Sequence, residues 1–166
     1  IKLLKIGGDR EFFFYRSFCG VTHQPVTASS DRHLQGVCKS IDITGAAYAQ
    51  GFNLPDAQGA MRSLAEFKGK VVLVFFGFAQ CPDVCPTALG RANEVRRLLG
   101  ADGDKVQVVF ITVDPERDTP EVLREYMKAY DPSFIALRGN AEQLAATAKE
   151  FKVFFQKVPT ANSYTM

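Results

Sequence analysis

The run from Val71 to Phe78, Val-Val-Leu-Val-Phe-Phe-Gly-Phe, limits what this chain can fold into more than any other feature. It is continuously β-branched and aromatic, and Gln80, Cys81 and Pro82 bound it with turn formers. A strand of that composition offers no polar side to water, so it belongs inside a sheet covered on both faces, as in the middle of a parallel sheet. The residues that follow repeat the logic. Ala88 to Leu99 puts Leu89, Ala92, Val95 and Leu99 on one side and Arg91, Glu94 and Arg97 largely elsewhere, which predicts an amphipathic helix stopped at Gly100. Val106 to Val113 predicts a second buried strand. Thr119-Pro120-Glu121 opens a helix with Pro at its first position and an apolar stripe of Val122, Leu123, Tyr126, Met127 and Tyr130. Phe134 to Leu137 reads as a third strand, Ala141 to Phe151 as a helix with Leu144, Ala148 and Phe151 on one face, and Val153 to Phe155 as a fourth strand. Strands alternating with helices of this length give βαβ units: an α/β fold with a central, mostly parallel sheet and helices on both faces.

Upstream the pattern is different. Residues 1–39 mix aromatics, turn formers and charges without a sustained period, and are expected to be an irregular leader, poorly ordered or foreign to the domain. The domain proper is expected to span 40–166. Within it, Phe52 to Leu54 and Ala60 to Arg62 flank an Asp/Gly cluster and predict a small hairpin, and Ser63 caps a short helical turn through Phe67. A length of 166 residues accommodates one such domain. Charge excludes some partners: a net +2, with no basic run interleaved with aromatics, argues against nucleic acid. The longest apolar runs fall far short of the roughly 20 residues that span a bilayer. Because the chain begins with Ile rather than Met, the missing anchor does not make the protein cytoplasmic.

Chemistry concentrates where function belongs in an open α/β sheet, at the carboxyl end of a strand. Cys81 and Cys85 sit in the turn between the first buried strand and the first helix, flanked by Pro82 and Pro86. Free backbone N–H groups and the positive end of the macrodipole favour thiolate at such a place. Two soft thiolates suit copper(I), and one residue more than Cys-x-x-Cys still allows a reversible disulfide. The bland alternative is a pair of small buried hydrophobes at a strand–helix turn.

The segment Phe75-Phe76-Gly77-Phe78-Ala79-Gln80-Cys81-Pro82-Asp83-Val84-Cys85-Pro86-Thr87 resembles the signature of the Sco/SenC proteins, and Asp114-Pro115-Glu116-Arg117-Asp118-Thr119-Pro120 resembles that family's second signature loop. Asp42-Ile43-Thr44-Gly45 and Ser163-Tyr164-Thr165-Met166 match it at the two ends, so the resemblance runs in order from about Ser40 to Met166. It implies a thioredoxin-like fold, and a copper(I)-binding metallochaperone that delivers copper to the CuA subunit during cytochrome c oxidase assembly. Cys81 and Cys85 are then the metal ligands, with a third ligand, a histidine, expected beyond Met166 together with closing strands and a helix. The same resemblance allows a thiol–disulfide oxidoreductase that reduces the CuA subunit's cysteines through Cys81 and Cys85, and it extends the partners to other copper or thiol-redox proteins. It also implies a membrane anchor, not seen in these residues, at the inner membrane facing the periplasm, or facing the intermembrane space in a mitochondrion.

The remaining candidates read as incidental. His23, His33, Cys19 and Cys38 all fall in the leader, and Cys38 lacks the small-residue pattern and apolar segment of a lipid-attachment site. Asp114 to Asp118 is expected to be a solvated charged loop at the same sheet end as the cysteines, with Asp118 or Thr119 capping the next helix and partner docking as its functional alternative. A peroxiredoxin fits poorly, because Val74 and Phe78 stand where its Pro and Thr would precede Cys81. A purely structural interaction domain ranks last.

Overall fold

The computed structural model describes residues 2–5, 13–15, 40–42, 46–161 and 163–166. Most of the 1–39 leader, with Cys19, Cys38, His23 and His33, lies outside the described residues. Three strands precede the regular part: β1 (Lys2–Lys5), β2 (Phe13–Tyr15) and β3 (Ser40–Asp42), β2 pairing antiparallel with β3. A hairpin of β4 (Asn53–Pro55) and β5 (Met61–Ser63) follows, and Ser63 leads into a 3-10 turn over Leu64–Phe67. The turn is tied at its start by the Ser63 N–H donating to the Glu66 carboxylate at 2.6 Å, the reach-back half of a capping box.

The apolar run becomes β6 (Val71–Gly77), and β7 (Val106–Thr112) lies parallel to it from Val71 opposite Val106 to Gly77 opposite Thr112. Beyond β7 comes β8 (Ile135–Leu137), also parallel, and β1 closes the other side antiparallel, giving the order β1-β6-β7-β8. All seven residues of β7 are buried, the both-faces burial its composition implies. Alternation sorts its side chains: Val109 and Ile111 join Val72, Val74, Leu144 and Phe151 in one core cluster, and Val108 and Phe110 join Phe75, Leu89 and Leu123 in another. Helix α3 (Ala141–Glu150) contributes to the first cluster, and α1 (Val84–Leu98) and α2 (Pro120–Lys128) to the second. Helices therefore lie on both faces of a mainly parallel sheet, the thioredoxin-like arrangement expected.

The structure corrects four expectations. The first helix begins at Val84, not Ala88, so Cys85 stands in its first turn rather than in a connecting loop; Pro86 is compatible with that place because the first helical N–H groups need no intrahelical acceptor. Val122 does not belong to the α2 stripe; it is exposed, and Leu123 and Met127 carry the buried face. Val153 to Phe155 forms no strand. Instead the Val153 N–H returns to the Ala148 carbonyl at 2.8 Å, Lys152 adopts φ +49, and the chain leaves α3 in a left-handed cap that leaves Phe154 exposed. The last strands are β9 (Val158–Pro159) and β10 (Tyr164–Thr165), a separate antiparallel ribbon. Finally, the two aspartates of the Asp114–Asp118 loop are not solvated, each being 1% exposed, while Glu116 between them is exposed.

Candidate functional site

β6 ends at Gly77, and within four residues the chain has turned into Cys81. The turn is closed by the Cys81 N–H donating to the Phe78 carbonyl at 3.2 Å. Cys81 is half-buried and Cys85 buried, both as free thiols. Their spacing puts the Cys81 sulfur over the opening turn of α1, where the Cys85 N–H donates to Cys81 Sγ at 3.4 Å. Burial would raise the Cys81 thiol, but hydrogen bonds from the Cys85 thiol and from the Cys85, Asp83 and Val84 N–H groups outweigh it and hold Cys81 below its ordinary value. These are the unsatisfied donors of a helix start, aimed at a sulfur.

Cys85 is the opposite case. Burial pushes its thiol up to about 12; its S–H donates a hydrogen bond to the Cys81 sulfur, and the nearby Cys81 and Asp118 charges add to the rise. The pair is therefore asymmetric, with one accessible sulfur that favours thiolate and one buried sulfur that holds its proton. Room for Cys85 comes from Gly77. A Cβ there would lie 2.9 Å from Cys85 Sγ, 2.7 Å from Phe75 Cε1 and 3.0 Å from Phe110 Cε2, so glycine is needed for close approach rather than for backbone freedom.

The second loop supports the first. The Ala79 N–H donates to both oxygens of Asp118, at 3.3 and 3.1 Å, and Thr112 Oγ1 donates to Asp118 Oδ2 at 2.5 Å. One buried carboxylate thus ties the turn before Cys81 to the end of β7. Burial raises Asp118 above the ordinary carboxylate value, partly offset by the Thr112 and Ala79 hydrogen bonds. The cap of α2 falls to Thr119, whose side chain accepts from the Val122 N–H. Arg138, just past β8, holds the loop backbone by donating from Nε to the Asp118 carbonyl and from Nη2 to the Pro115 carbonyl, at 3.0 and 2.8 Å. Asp114 accepts from Arg117 Nε and, at 2.8 Å, from the Tyr164 hydroxyl. Arg117 also donates to the Tyr164 carbonyl at 2.9 Å and stacks on its ring at 3.8 Å, while facing the Phe78 ring at 5.9 Å. The ribbon carrying Tyr164 is thereby anchored at the sheet end that holds the dithiol.

Sequence reasoning located Cys81 and Cys85 but missed Gly77, Thr112, Asp118 and Arg138 as their support. One signal was readable: Gly77 is the single small residue in an otherwise bulky strand. Arg138 carried no local signal, because its role depends on a contact made across the sheet. Among the described residues, no group of three or more His, Cys, Asp or Glu side chains is arranged to hold a metal ion, and no helix is long and apolar enough to cross a membrane.

Comparison with known proteins agrees with this geometry. The SCO1/SenC family profile matches residues 42–166. An SCO2-like protein of Rickettsia felis is 44% identical over 107 residues, covering 64% of this chain and 52% of the relative. The mitochondrial SCO2 homolog of Homo sapiens is 41% identical over 117 residues, covering 69% of this chain and 44% of the relative. The chain thus spans about half the length of the curated relatives it matches. Among solved structures, copper-bound ScoI of Bradyrhizobium japonicum has a TM-score of 0.67 at 42% identity, covering 72% of this chain and 76% of that one. Copper-bound yeast Sco1 has a TM-score of 0.61 at 31% identity, covering 69% and 68%. The chain belongs to the SCO1/SenC family.

Proposed function

We propose that the protein carries copper(I) as cargo on Cys81 and Cys85 and passes it by ligand exchange to the thiols of the CuA subunit of cytochrome c oxidase. The observation that carries this reading is the Cys81 sulfur, held by the donors of a helix start with a second thiol four residues on in a buried pocket. Two sulfurs so presented match the preference of copper(I) for soft donors, and two of the similar structures contain copper. A histidine following Met166 is the proposed third donor. The anchoring of Tyr164 to Asp114 and Arg117 favours this, because it brings the final ribbon to the dithiol end of the sheet. On binding, Cys85 yields its proton to solvent as its sulfur joins the metal. The relatives named as mitochondrial support a place at the inner membrane, facing the intermembrane space or, in a bacterium, the periplasm. Anaerobic titration with copper(I) tests the reading. It predicts about one ion per chain in the wild type and none in Cys81→Ala or Cys85→Ala; binding unchanged in both variants overturns it.

The asymmetry of the two thiols favours a second reading, thiol–disulfide exchange. The Cys81 thiolate attacks a partner's disulfide, releasing one partner thiolate and forming a mixed disulfide. Cys85 then loses its proton and attacks Cys81, so that a Cys81–Cys85 disulfide forms and the partner leaves as a dithiol. The disulfide switch identified in BsSco, a similar member of the Sco family of cytochrome c oxidase assembly proteins, points the same way. Under this reading Cys85→Ser accumulates the mixed disulfide with a disulfide substrate, and failure to trap one counts against it.

A further inference from the structure

The charged residues of the Asp114–Asp118 loop serve two neighbours. Asp118 accepts from the Ala79 N–H in the turn before Cys81, whereas Asp114, Glu116 and Arg117 all meet the terminal ribbon or its approach. Tyr164 is the centre of that second set. Its hydroxyl donates to Asp114 at 2.8 Å, its carbonyl accepts from Arg117 Nη1 at 2.9 Å, and the Arg117 guanidinium lies 3.8 Å from its ring. Lys157, directly before β9, pairs with Glu116 at 2.6 Å and stands 4.8 Å from the same ring. Arg117 also faces the Phe78 ring at 5.9 Å, so one side chain spans the ribbon and the turn that leads to Cys81.

The ribbon has little else to hold it. β9 and β10 share a ladder of two residue pairs, Val158, Pro159 and Thr165 are exposed, and among the described residues neither strand contributes to the two core clusters. A two-stranded ribbon is marginal on its own in water. The loop side of the contact is rigid by comparison: Asp114 is 1% exposed and its N–H donates to Thr112 Oγ1 at 3.0 Å, while Arg138 holds the Pro115 carbonyl. A segment held by polar ties to a rigid base opens locally, without unfolding the domain. We propose that Arg117 and Tyr164 are positioning residues: they latch the terminal ribbon to the dithiol end of the sheet, and latch closure and copper(I) binding favour each other. The proposal rests on the copper reading, in which a donor follows Met166. The chain reaches that donor through Tyr164, so a closed latch raises the donor's effective concentration at the two sulfurs. Linkage makes the coupling reciprocal, with copper favouring closure by the factor that closure tightens copper. Neither residue is itself a ligand.

Two measurements keep the failure of this proposal distinct from that of the copper role. The first is anaerobic competition for copper(I) against a chromophoric chelator, in the full chain with the residues that follow Met166. Tyr164→Phe removes one hydrogen bond of the latch, and Arg117→Lys keeps the charge but loses the planar fork and its stack. Each should weaken binding about two- to fivefold; fivefold is the scale of one hydrogen bond, and the figure shrinks with the share of latch already closed. Thr119→Ala removes the cap of α2 and should lower the urea midpoint by a comparable amount, yet keep the wild-type affinity. The second measurement needs no metal: hydrogen exchange of the reduced protein, comparing ribbon amides, including the Thr160 N–H that donates to the Ser163 carbonyl, with those of β7. Ribbon amides should exchange roughly a hundredfold faster than β7 amides in the wild type, and about two- to fivefold faster again in Tyr164→Phe. Wild-type copper(I) affinity in both latch variants, an equal loss in Thr119→Ala, or ribbon amides as protected as those of β7 overturns the proposal. If the wild type binds no copper(I), the copper reading falls, and ribbon exchange in Tyr164→Phe alone decides whether the latch exists.

Discussion

Replacing Gly77 by alanine probes how tightly the sheet end is built around the buried sulfur. The new Cβ would lie 2.7 Å from Phe75 Cε1, 2.9 Å from Cys85 Sγ and 3.0 Å from Phe110 Cε2. Ordinary contact begins near ~3.5 Å, so each neighbour must retreat by roughly 0.5–0.8 Å. None has an easy retreat, because Phe75 is 5% exposed, Cys85 4% and Phe110 0%. Overpacking of this kind costs about 1–3 kcal/mol, readable as a lower urea midpoint of the reduced, metal-free protein with an unchanged slope. One of the three close contacts is the sulfur itself. In a Cys85→Ala background that contact is gone, and the Gly77→Ala cost should fall by roughly a third, a coupling of about 0.3–1 kcal/mol between neighbouring sites. Wild-type stability in Gly77→Ala, or a cost identical in both backgrounds, would refute the claim that Gly77 exists to seat Cys85.

Three further outcomes follow from the same geometry. Brief alkylation of the reduced protein at neutral pH, read by peptide mass spectrometry, should label Cys81 well before Cys85, because Cys81 is held toward thiolate and is the more exposed; equal labelling contradicts the asymmetry. Cys85 binds its proton more tightly folded, with its thiol raised from 9.0 to about 12, so its contribution to stability is complete below pH 9 and lost as pH rises from there toward 12. The reduced wild type should therefore lose stability across that window more steeply than Cys85→Ala, and parallel pH profiles would count against the burial of a neutral thiol. Asp118→Ala leaves the Ala79 N–H and the Thr112 hydroxyl without their acceptor, at about 1–3 kcal/mol for each buried group left unpaired; it should lower the unfolding midpoint and weaken copper(I) binding together, and an effect on neither would remove Asp118 from the support of the site.

Much of the sheet was legible because its strands are buried on both faces and its helices are striped. Val71 to Gly77 and Val106 to Thr112 needed only composition, and Pro120 announced the start of α2. What failed was local reading where tertiary bonds decide. Phe154 looked like strand but sits 86% exposed, because the Val153 N–H is already taken by the cap of α3. Asp114 and Asp118 looked like surface charge, yet Arg117, Tyr164, Thr112 and the Ala79 N–H make them affordable inside. Cys81 and Cys85 were legible as a pair from spacing and placement alone, but their inequality was not. It arises from the start of α1 at Val84, which exposes helix-start donors to one sulfur and buries the other against Gly77 and Phe110.

X-ray absorption of the copper(I)-loaded chain tests the central claim most directly, since it counts the sulfurs on the metal. The wild type should show two sulfur scatterers in the first coordination shell, and neither Cys81→Ala nor Cys85→Ala should retain the metal. Copper held without sulfur, or a spectrum that neither substitution changes, would contradict the assignment of Cys81 and Cys85 as the pair that carries it.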